Sequence, residues 1–307
     1  MKYPKPLIKG SHIGIVAPSD QFPKGRLLRT AHILAKAGFV VHFGKHLFEK
    51  HGFLPGTDEE RASDINNMFE ESQIDAILCA YGGSNANRLL TLLDYDLIRS
   101  HPKIFLGMSD ISTLLNAIHA KTGLVTYHSP NACSLFPYLT KKKRKIFQEI
   151  EDFNIRYFFD ALYGRMNRPF CINATMCSQI LKPGNVKGHI LGGDLEAVHN
   201  LLASGIKLPW KDSIFFWEEL NEPPWEIGRM LMNYKLSGVF DKIKGMVVGT
   251  LWNCETKDAT RRNMDVQTVI YDLTKEYDFP IVFGAPFGHH CKNVIFPIGG
   301  RGEIRTE

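Results

Sequence analysis

The sequence predicts an α/β fold, with a helix-covered parallel sheet in its N-terminal part and a second α/β domain after it. Short apolar runs alternate with longer segments of helical periodicity through the first half, and parallel strands joined by helices produce this pattern. After a stretch without a clear period, a second group of apolar runs begins. The length of 307 residues is about twice that of a typical domain, so we expect two domains.

The predicted elements follow the periodicity in chain order. The strands of the first half are expected at 12–18, 40–43, 74–81 and 104–108, and its helices at 26–38, 58–71, 111–122 and through Leu89, Leu90 and Leu93. The second half is expected to hold strands at 188–191, 214–217, 245–249 and 281–283 and a helix at 194–203. We therefore predict an N-terminal domain over 1–150, a bridging segment over 151–180 and a C-terminal domain over 181–307.

The composition is that of a globular protein able to bury a sizeable core, with 44% hydrophobic and 22% charged residues. The net charge of +5 is modest for this length and does not indicate nucleic-acid binding. The basic run 141–145 precedes a helical stretch, and we interpret it as a solvated helix face. No stretch is apolar enough to span a bilayer or to serve as a signal peptide. The six cysteines are scattered, which favours a reducing compartment. We therefore expect a cytoplasmic protein without a membrane or nucleic-acid partner.

Chemically active side chains follow several of the predicted strands, and in open α/β sheets ligands bind beyond the carboxyl ends of the strands. The candidates at these positions are Gly82, Gly83, Ser84, Ser109, Asp110, Glu218, Glu219, His289 and His290. Ser109 lies at a bend between a strand and a helix, where a hydroxyl is exposed beside backbone N–H groups that can stabilise an oxyanion. An ordinary helix cap is the alternative. Ser84 lies in a similar turn, and the local pattern does not choose between the two serines.

A serine nucleophile needs a general base, usually a histidine oriented by a carboxylate. His289 follows a loop with Pro286 and Gly288, which presents a side chain rather than burying it. Glu218 and Glu219 end a buried strand and point to opposite faces, so one of them is expected to meet a cleft or a polar partner. A salt bridge from Glu218 to Arg229 is the competing interpretation.

Metal and nucleotide sites are not indicated by the sequence. His42, His46 and His51 are loosely spaced, and no carboxylate–histidine cluster has ligand spacing. Walker A and Gly-x-Gly-x-x-Gly motifs are absent. We expect no metal and no cofactor.

Several motifs in a fixed order resemble the LD-carboxypeptidase family of serine peptidases (family S66), including its microcin C immunity branch. These motifs are Gly14-Ile15-Val16-Ala17-Pro18-Ser19, Gly82-Gly83-Ser84-Asn85-Ala86-Asn87-Arg88-Leu89-Leu90, Leu93-Asp94-Tyr95-Asp96-Leu97-Ile98, Gly107-Met108-Ser109-Asp110-Ile111, Gly192-Gly193-Asp194-Leu195, Phe216-Trp217-Glu218-Glu219 and Gly284-Ala285-Pro286-Phe287-Gly288-His289. Met108, Ser112 and Asp194 depart from the usual Tyr, Thr and Asn of the family, which bears on substrate fit more than on catalysis.

The resemblance implies a Ser109–Glu218–His289 triad, with Ser84 as part of the glycine loop. It implies an oxyanion site at the N–H groups of Asp110 and of Gly83 or a neighbour such as Gly82. It also implies a flavodoxin- or Rossmann-like N-terminal domain that carries the serine, a C-terminal α/β domain that carries Glu and His, a site between them, and a homodimer.

The implied activity is hydrolysis of an amide bond, and the substrate is left open between two classes. One class is the muropeptide, from which D-alanine would be released; the other is an aminoacyl-nucleotide conjugate. The glycine loop and the 93–98 spacing favour the microcin-immunity branch. A non-catalytic module that binds a small anion is the alternative from another class. A two-domain periplasmic-type binder is a third possibility, which the lack of a signal segment opposes.

Overall fold

The computed structural model describes residues 1–136, 141–167, 169–256 and 264–307, with the side chains of α6 described from residue 148. The chain divides into two units by its internal contacts. The first comprises Met1–Arg168 and Lys292–Gly300, and the second comprises Pro169–Cys291 and Arg301–Glu307. The chain therefore enters each unit twice.

The strands of the described chain are β1 (His12–Val16), β2 (Val40–Phe43), β3 (Ile74–Cys79), β4 (Ile104–Gly107), β5 (Thr126–His128), β6 (Phe170–Asn173), β7 (Gln179–Lys182), β8 (Asn185–Asp194), β9 (Ser213–Leu220), β10 (Gly245–Trp252), β11 (Ile281–Phe283), β12 (Phe296–Ile298) and β13 (Arg301–Arg305). The helices are α1 (Lys24–Lys36), α2 (Asp58–Glu70), α3 (Tyr95–Ser100), α4 (Ser112–Thr122), α5 (Ala132–Leu135), α6 (Lys141–Leu162), α7 (Leu195–His199), α8 (Pro224–Leu236) and α9 (Val266–Thr274). The basic run 141–145 falls in α6, and its side chains lie outside the described residues.

The first unit is built on a sheet whose described strands have the order β12-β5-β4-β3-β1-β2. Its neighbouring strands are parallel from β5 to β2, and β12 adds antiparallel to β5. The central strands β3 and β4 are apolar apart from Asp75, and they are buried along nearly their whole length, as expected for a sheet with helices on both faces. The α/β fold class predicted from the sequence is confirmed.

The prediction of one helix through Leu89, Leu90 and Leu93 is wrong, because no continuous helix spans these residues. The chain makes a short 3₁₀ turn at Ala86–Leu89, and α3 begins only at Tyr95. Asp94 interrupts the helical spacing, because its carboxylate accepts hydrogen bonds from the backbone N–H groups of Asp96 and Leu97 at 3.1 and 2.9 Å. A side chain used in this way starts a helix rather than continuing one.

The second unit contains a sheet whose described strands have the order β6-β13-β8-β9-β10-β11-β7. The four central strands, β8 to β11, are parallel. At the edges, β13 runs antiparallel to β8, β7 runs antiparallel to β11, and β6 runs parallel to β13.

The weakly patterned stretch 147–185 contains the end of α6 and the edge strands β6 and β7. Edge strands are short and half-exposed, so their apolar pattern is weak. The domain boundaries proposed from the sequence remain a prediction. No described helix is both long enough and apolar enough to cross a membrane.

Candidate active site

Ser109 lies directly after β4, at a bend with strained backbone. Its φ angle is +64°, a left-handed conformation that is uncommon for a residue with a side chain. The residue before the 3₁₀ turn Ser109–Ile111 is Met108, and α4 begins at Ser112 without a side-chain cap. Ser109 therefore does not serve as an ordinary helix cap. A strained serine between a strand and a helix is the geometry of a nucleophile elbow.

Asn131 holds the elbow from the side. Its Oδ1 accepts the N–H of Met108 at 3.0 Å, and its Nδ2 donates to the carbonyl of Met108 at 3.2 Å. The side chain is buried, and both backbone groups of Met108 are thus satisfied by one amide. Asn131 was not singled out from the sequence, because its partner lies 23 positions away and no local pattern connects the two.

Gly82 and Gly83 follow β3 and approach the elbow closely. A Cβ atom on Gly82 would lie 2.8 Å from Cβ and 3.0 Å from Oγ of Ser109, so only glycine fits there without displacement. Gly83 has φ +116° and lies against Asp20. Ser84 gives both its N–H and its hydroxyl to Oδ1 of Asp20, each at 3.1 Å. The hydroxyl of Ser84 is thus engaged in shaping the loop.

Asp110 links the elbow to the glycine loop. Its buried carboxylate accepts hydrogen bonds from the hydroxyl of Ser19 and, at 2.7 Å, from the N–H of Ala86. Ser19 also donates to the carbonyl of Ser84 at 3.0 Å. Burial raises the pKa of Asp110, and these two hydrogen bonds oppose the rise. The side chain of Asp110 therefore fixes the loop, while its N–H belongs to the first turn of a helix, where no intrahelical acceptor exists.

The buried Glu218 and the half-buried His289 form a pair in the second unit. Nδ1 of His289 lies 2.8 Å from Oε2 of Glu218, and the N–H of His289 donates to the same oxygen at 3.2 Å. Gly288 permits this approach, because a Cβ atom there would lie 2.9 Å from Oε2 of Glu218. Arg229 instead pairs with Glu226, so the competing salt bridge from Glu218 to Arg229 is not formed. A carboxylate that orients Nδ1 leaves Nε2 as the reactive nitrogen.

Two further carboxyl groups, those of Asp194 and Glu219, interact with the Glu218 carboxylate. Asp194 of β8 lies in register with Glu218 of the neighbouring parallel strand β9. Burial and the charge of Glu218 raise the pKa of Asp194 to about 7, and burial with the charge of Asp194 raises the pKa of Glu219 to about 10. Burial lowers the pKa of His289, but the charge and hydrogen bond of Glu218 outweigh it, and the net pKa is raised.

Among the described residues, one group has side-chain ligand atoms close enough to hold a metal ion. Asp194, Glu218 and His289 each offer one such atom, all within 4.8 Å of one another. These three residues lie far apart in the sequence, so the expectation of no carboxylate–histidine cluster, which rested on ligand spacing along the chain, missed this group. Because Nδ1 of His289 is already bonded to Glu218, we interpret the group as an oriented base rather than a metal centre.

The loosely spaced histidines of the first unit have other partners. His42 lies in β2, and its Nε2 is 2.9 Å from Nδ1 of His12. His46 has its Nδ1 3.0 Å from Oδ1 of Asp64. Burial raises the pKa of Asp64. These contacts account for His42 and His46 as structural residues.

The predicted site residues fall into two groups. The first unit brings together Ser109, Asp110, Gly82 and Gly83, and the second brings Glu218 to His289. Asn131 was not predicted from the sequence as a functional candidate, and Asp194 stood out there only as a departure from a motif.

Comparison with known proteins shows two family-level matches. Residues 13–129 match the model of the LD-carboxypeptidase N-terminal domain, and residues 187–304 match that of the LD-carboxypeptidase C-terminal domain.

Individual relatives match over nearly the whole chain. A Bacillus subtilis protein named "Probable murein peptide carboxypeptidase" is 32% identical over 99% of this chain and 91% of its own. The "Microcin C7 self-immunity protein MccF" of Escherichia coli is 28% identical over 96% of this chain and 90% of its own. The solved structure of the microcin C7 self-immunity protein MccF in complex with aspartyl sulfamoyl adenosine superposes with a TM-score of 0.85 at 25% identity, over 98% of this chain and 95% of that one.

Proposed function

Because this chain belongs to the LD-carboxypeptidase family, peptidase family S66, and is a carboxypeptidase-type enzyme, we propose that it hydrolyses an amide bond with Ser109 as nucleophile, His289 as general base and Glu218 as the orienting carboxylate. The observation that carries the proposal is the strained backbone at Ser109, with φ +64°. The partly buried Glu218–His289 hydrogen bond of 2.8 Å supports it.

In the first step, the hydroxyl oxygen of Ser109 attacks the amide carbonyl carbon, and Nε2 of His289 takes the hydroxyl proton. The tetrahedral intermediate collapses as His289 gives this proton to the leaving amine, and an acyl-enzyme remains. Water then attacks the acyl carbon with His289 again as base, which releases the carboxylic acid and restores Ser109. Throughout the cycle, Glu218 accepts a hydrogen bond from Nδ1–H of His289 and stabilises the imidazolium.

The oxyanion of this intermediate would be stabilised by the backbone N–H groups of Asp110 and Gly83. The Asp110 N–H is at the start of a helical turn, where it lacks an intrahelical partner. Gly83 belongs to a loop that Asp20 and Asp110 hold against Ser109. The absence of a side chain at Gly82 leaves room for the carbonyl to approach.

Two substrate classes are carried over from the relatives. The Bacillus relative is named for murein peptides, and the MccF structure contains aspartyl sulfamoyl adenosine. A muropeptide would lose its terminal D-alanine, whereas an aminoacyl-nucleotide conjugate would be cut at the amide joining the acyl group to its nucleotide-like part. We favour a small acyl-amide substrate of one of these two classes.

Hydrolysis of a muropeptide tetrapeptide and of an aminoacyl-sulfamoyl adenosine, measured side by side, tests the proposal. Ser109→Ala should reduce turnover by about 10⁴-fold or more, because the nucleophile is lost. The matched control is Ser84→Ala, which removes the competing serine hydroxyl and should retain most of the rate. Full turnover in Ser109→Ala would exclude the serine mechanism proposed here.

The alternative from another class is a module that binds a small anion without turning it over. It predicts binding of the same two compounds, no product, and no reaction with serine-directed acylating probes. A homodimer and a cytoplasmic location also stay predictions. The six cysteines are free thiols, which is consistent with a reducing compartment.

A further inference from the structure

One carboxylate oxygen of Glu218 has no hydrogen-bond donor among the residues that the structure describes. Oε2 of Glu218 accepts both the N–H and Nδ1–H of His289, but Oε1 is buried without a partner in the part of the chain that the structure describes. The side chain of Glu218 has 0% exposure. A buried unsatisfied carboxylate oxygen is costly.

Asp194 is placed to satisfy that oxygen. It lies opposite Glu218 in the parallel β8–β9 register, and registered residues on adjacent strands share a face of the sheet. A carboxyl oxygen of Asp194 lies within 4.8 Å of the ligand atoms of Glu218 and His289. Its Oδ1 accepts the N–H of Ala197 at 2.9 Å.

We propose that Asp194 works as a neutral carboxylic acid whose Oδ2–H donates a hydrogen bond to Oε1 of Glu218 and thereby positions the Glu218–His289 pair. The inference rests on the proposed function, in which this pair activates Ser109. Asp194 does not touch the substrate in this scheme. It acts through Glu218 and is a positioning residue.

The surroundings of Asp194 favour its protonated form. Glu218 faces it from β9, and Glu196 adds a further negative charge from α7. Glu219 is also close, but its own pKa of about 10 keeps it neutral where Asp194 titrates. Tyr234 of α8 is neutral, since burial raises its phenol pKa well above the usual value. The charge of His289 opposes protonation. Burial and the carboxylates prevail, and they raise the pKa of Asp194 to about 7.

The proton on Asp194 makes the site sensitive to pH from the alkaline side. His289 must be neutral to act as base, so the rate rises as pH increases through its raised pKa. As Asp194 loses its proton, Glu218 loses a donor and faces a second negative charge. The rate should then fall, which gives a bell-shaped profile whose alkaline limb belongs to Asp194 and to the pair it is coupled with.

The experiment compares wild type with Asp194→Asn, Asp194→Ala and Glu219→Gln. An asparagine amide is close in shape to the protonated acid and keeps a donor at every pH. We expect kcat/KM of Asp194→Asn to stay within about threefold of wild type on the acid side and to lack the alkaline limb, over which wild type should fall about tenfold per pH unit. Asp194→Ala should lose activity about 10²-fold relative to wild type on the acid side, because it cannot donate.

Glu219→Gln is the matched control. Glu219 is also buried and acidic, but its oxygens accept the N–H groups of Glu196 and Leu220. The alkaline limb should persist in this variant. An alkaline limb that persists in Asp194→Asn, or normal activity in Asp194→Ala, would overturn the proposal.

A spectroscopic measurement separates this inference from the proposed function. Infrared difference spectra of wild type minus Asp194→Asn, recorded across the alkaline limb, should show a protonated carboxyl band that disappears as pH rises. If the band is present while neither substrate is hydrolysed, the proposed function fails and the neutral Asp194 stands. If the band is absent while Ser109-dependent hydrolysis is intact, the inference fails alone.

Discussion

Ser109 is placed by its neighbours rather than by its own conformational preference. The hydrogen bonds from Asn131 fix Met108 on one side of it, and Gly82 lies against its side chain on the other. A left-handed serine costs roughly 1–3 kcal/mol, so the surrounding contacts must supply at least this much. The strain holds the hydroxyl in place before any substrate binds.

Replacing Ser109 by glycine should therefore stabilise the protein. Glycine adopts φ +64° without a Cβ clash, so we expect Ser109→Gly to raise the free energy of unfolding by about 1 kcal/mol relative to Ser109→Ala. Urea denaturation of the two inactive variants measures the difference. Equal stabilities would show that the bend is unstrained.

Functional residues that belong to local motifs could be predicted from the sequence, whereas contacts between residues far apart in the chain could not. The serine, glutamate and histidine each lie after a recognisable apolar strand, so their positions could be predicted from pattern and motif. The contacts of Asn131 with Met108 and of Asp194 with Glu218 depend on strand order. A single sequence does not reveal which strands are neighbours, and these contacts emerged only from the sheet register.

At the scale of elements, the strands were predicted better than the turns between them. The buried strands β3, β4 and β9 each contain a continuous apolar run, over 76–79, 104–107 and 214–217, and burial on both faces produces that signal directly. The segment before α3 was misjudged because leucines at helical spacing outweighed the capping preference of Asp94. The edge strands β6 and β7 gave no usable pattern, since they bury only part of each side chain.

The start of α2 offers a direct test of element stability. Thr57 accepts the N–H of Glu60 at 3.2 Å, and the Glu60 carboxylate accepts the N–H of Thr57 at 2.8 Å. This reciprocal capping box satisfies two N–H groups at the helix start. Thr57→Ala should lower the free energy of unfolding by about 1 kcal/mol. Thermal denaturation measures the change, with Thr57→Ser, which keeps the hydroxyl, as the control; equal losses in both variants would contradict the capping role.

At the scale of the whole molecule, the segment Lys292–Glu307 contributes a strand to each of the two units. Lys292–Gly300 returns to the first unit, where β12 pairs with β5, and Arg301–Glu307 returns to the second, where β13 lies between β6 and β8. This stretch was predicted to lie in the C-terminal domain alone. The strands β12 and β13 are short, and a short apolar run does not indicate which strand it pairs with.

Two truncations distinguish the contributions of this tail. A chain ending at Gly300 lacks β13 and should lose hydrogen-exchange protection in β6 and β8 while β5 stays protected. A chain ending at Cys291 lacks β12 as well and should lose protection in β5 too. Hydrogen exchange resolved by segment measures both, and unchanged protection of β8 in the shorter chains would contradict the role of β13.

The segment Lys292–Glu307 also determines when folding can be completed during synthesis, because both units need part of it. A ribosome makes Ser109, Glu218 and His289 before it reaches Lys292–Glu307, and domains generally fold in the order in which they emerge. Here the sheet of the first unit waits for its edge strand β12, which is made after the strands β6 to β11 of the second unit. Vectorial folding therefore cannot complete the first unit before β11 has been made, and a nascent chain that stops before Lys292 leaves both units incomplete.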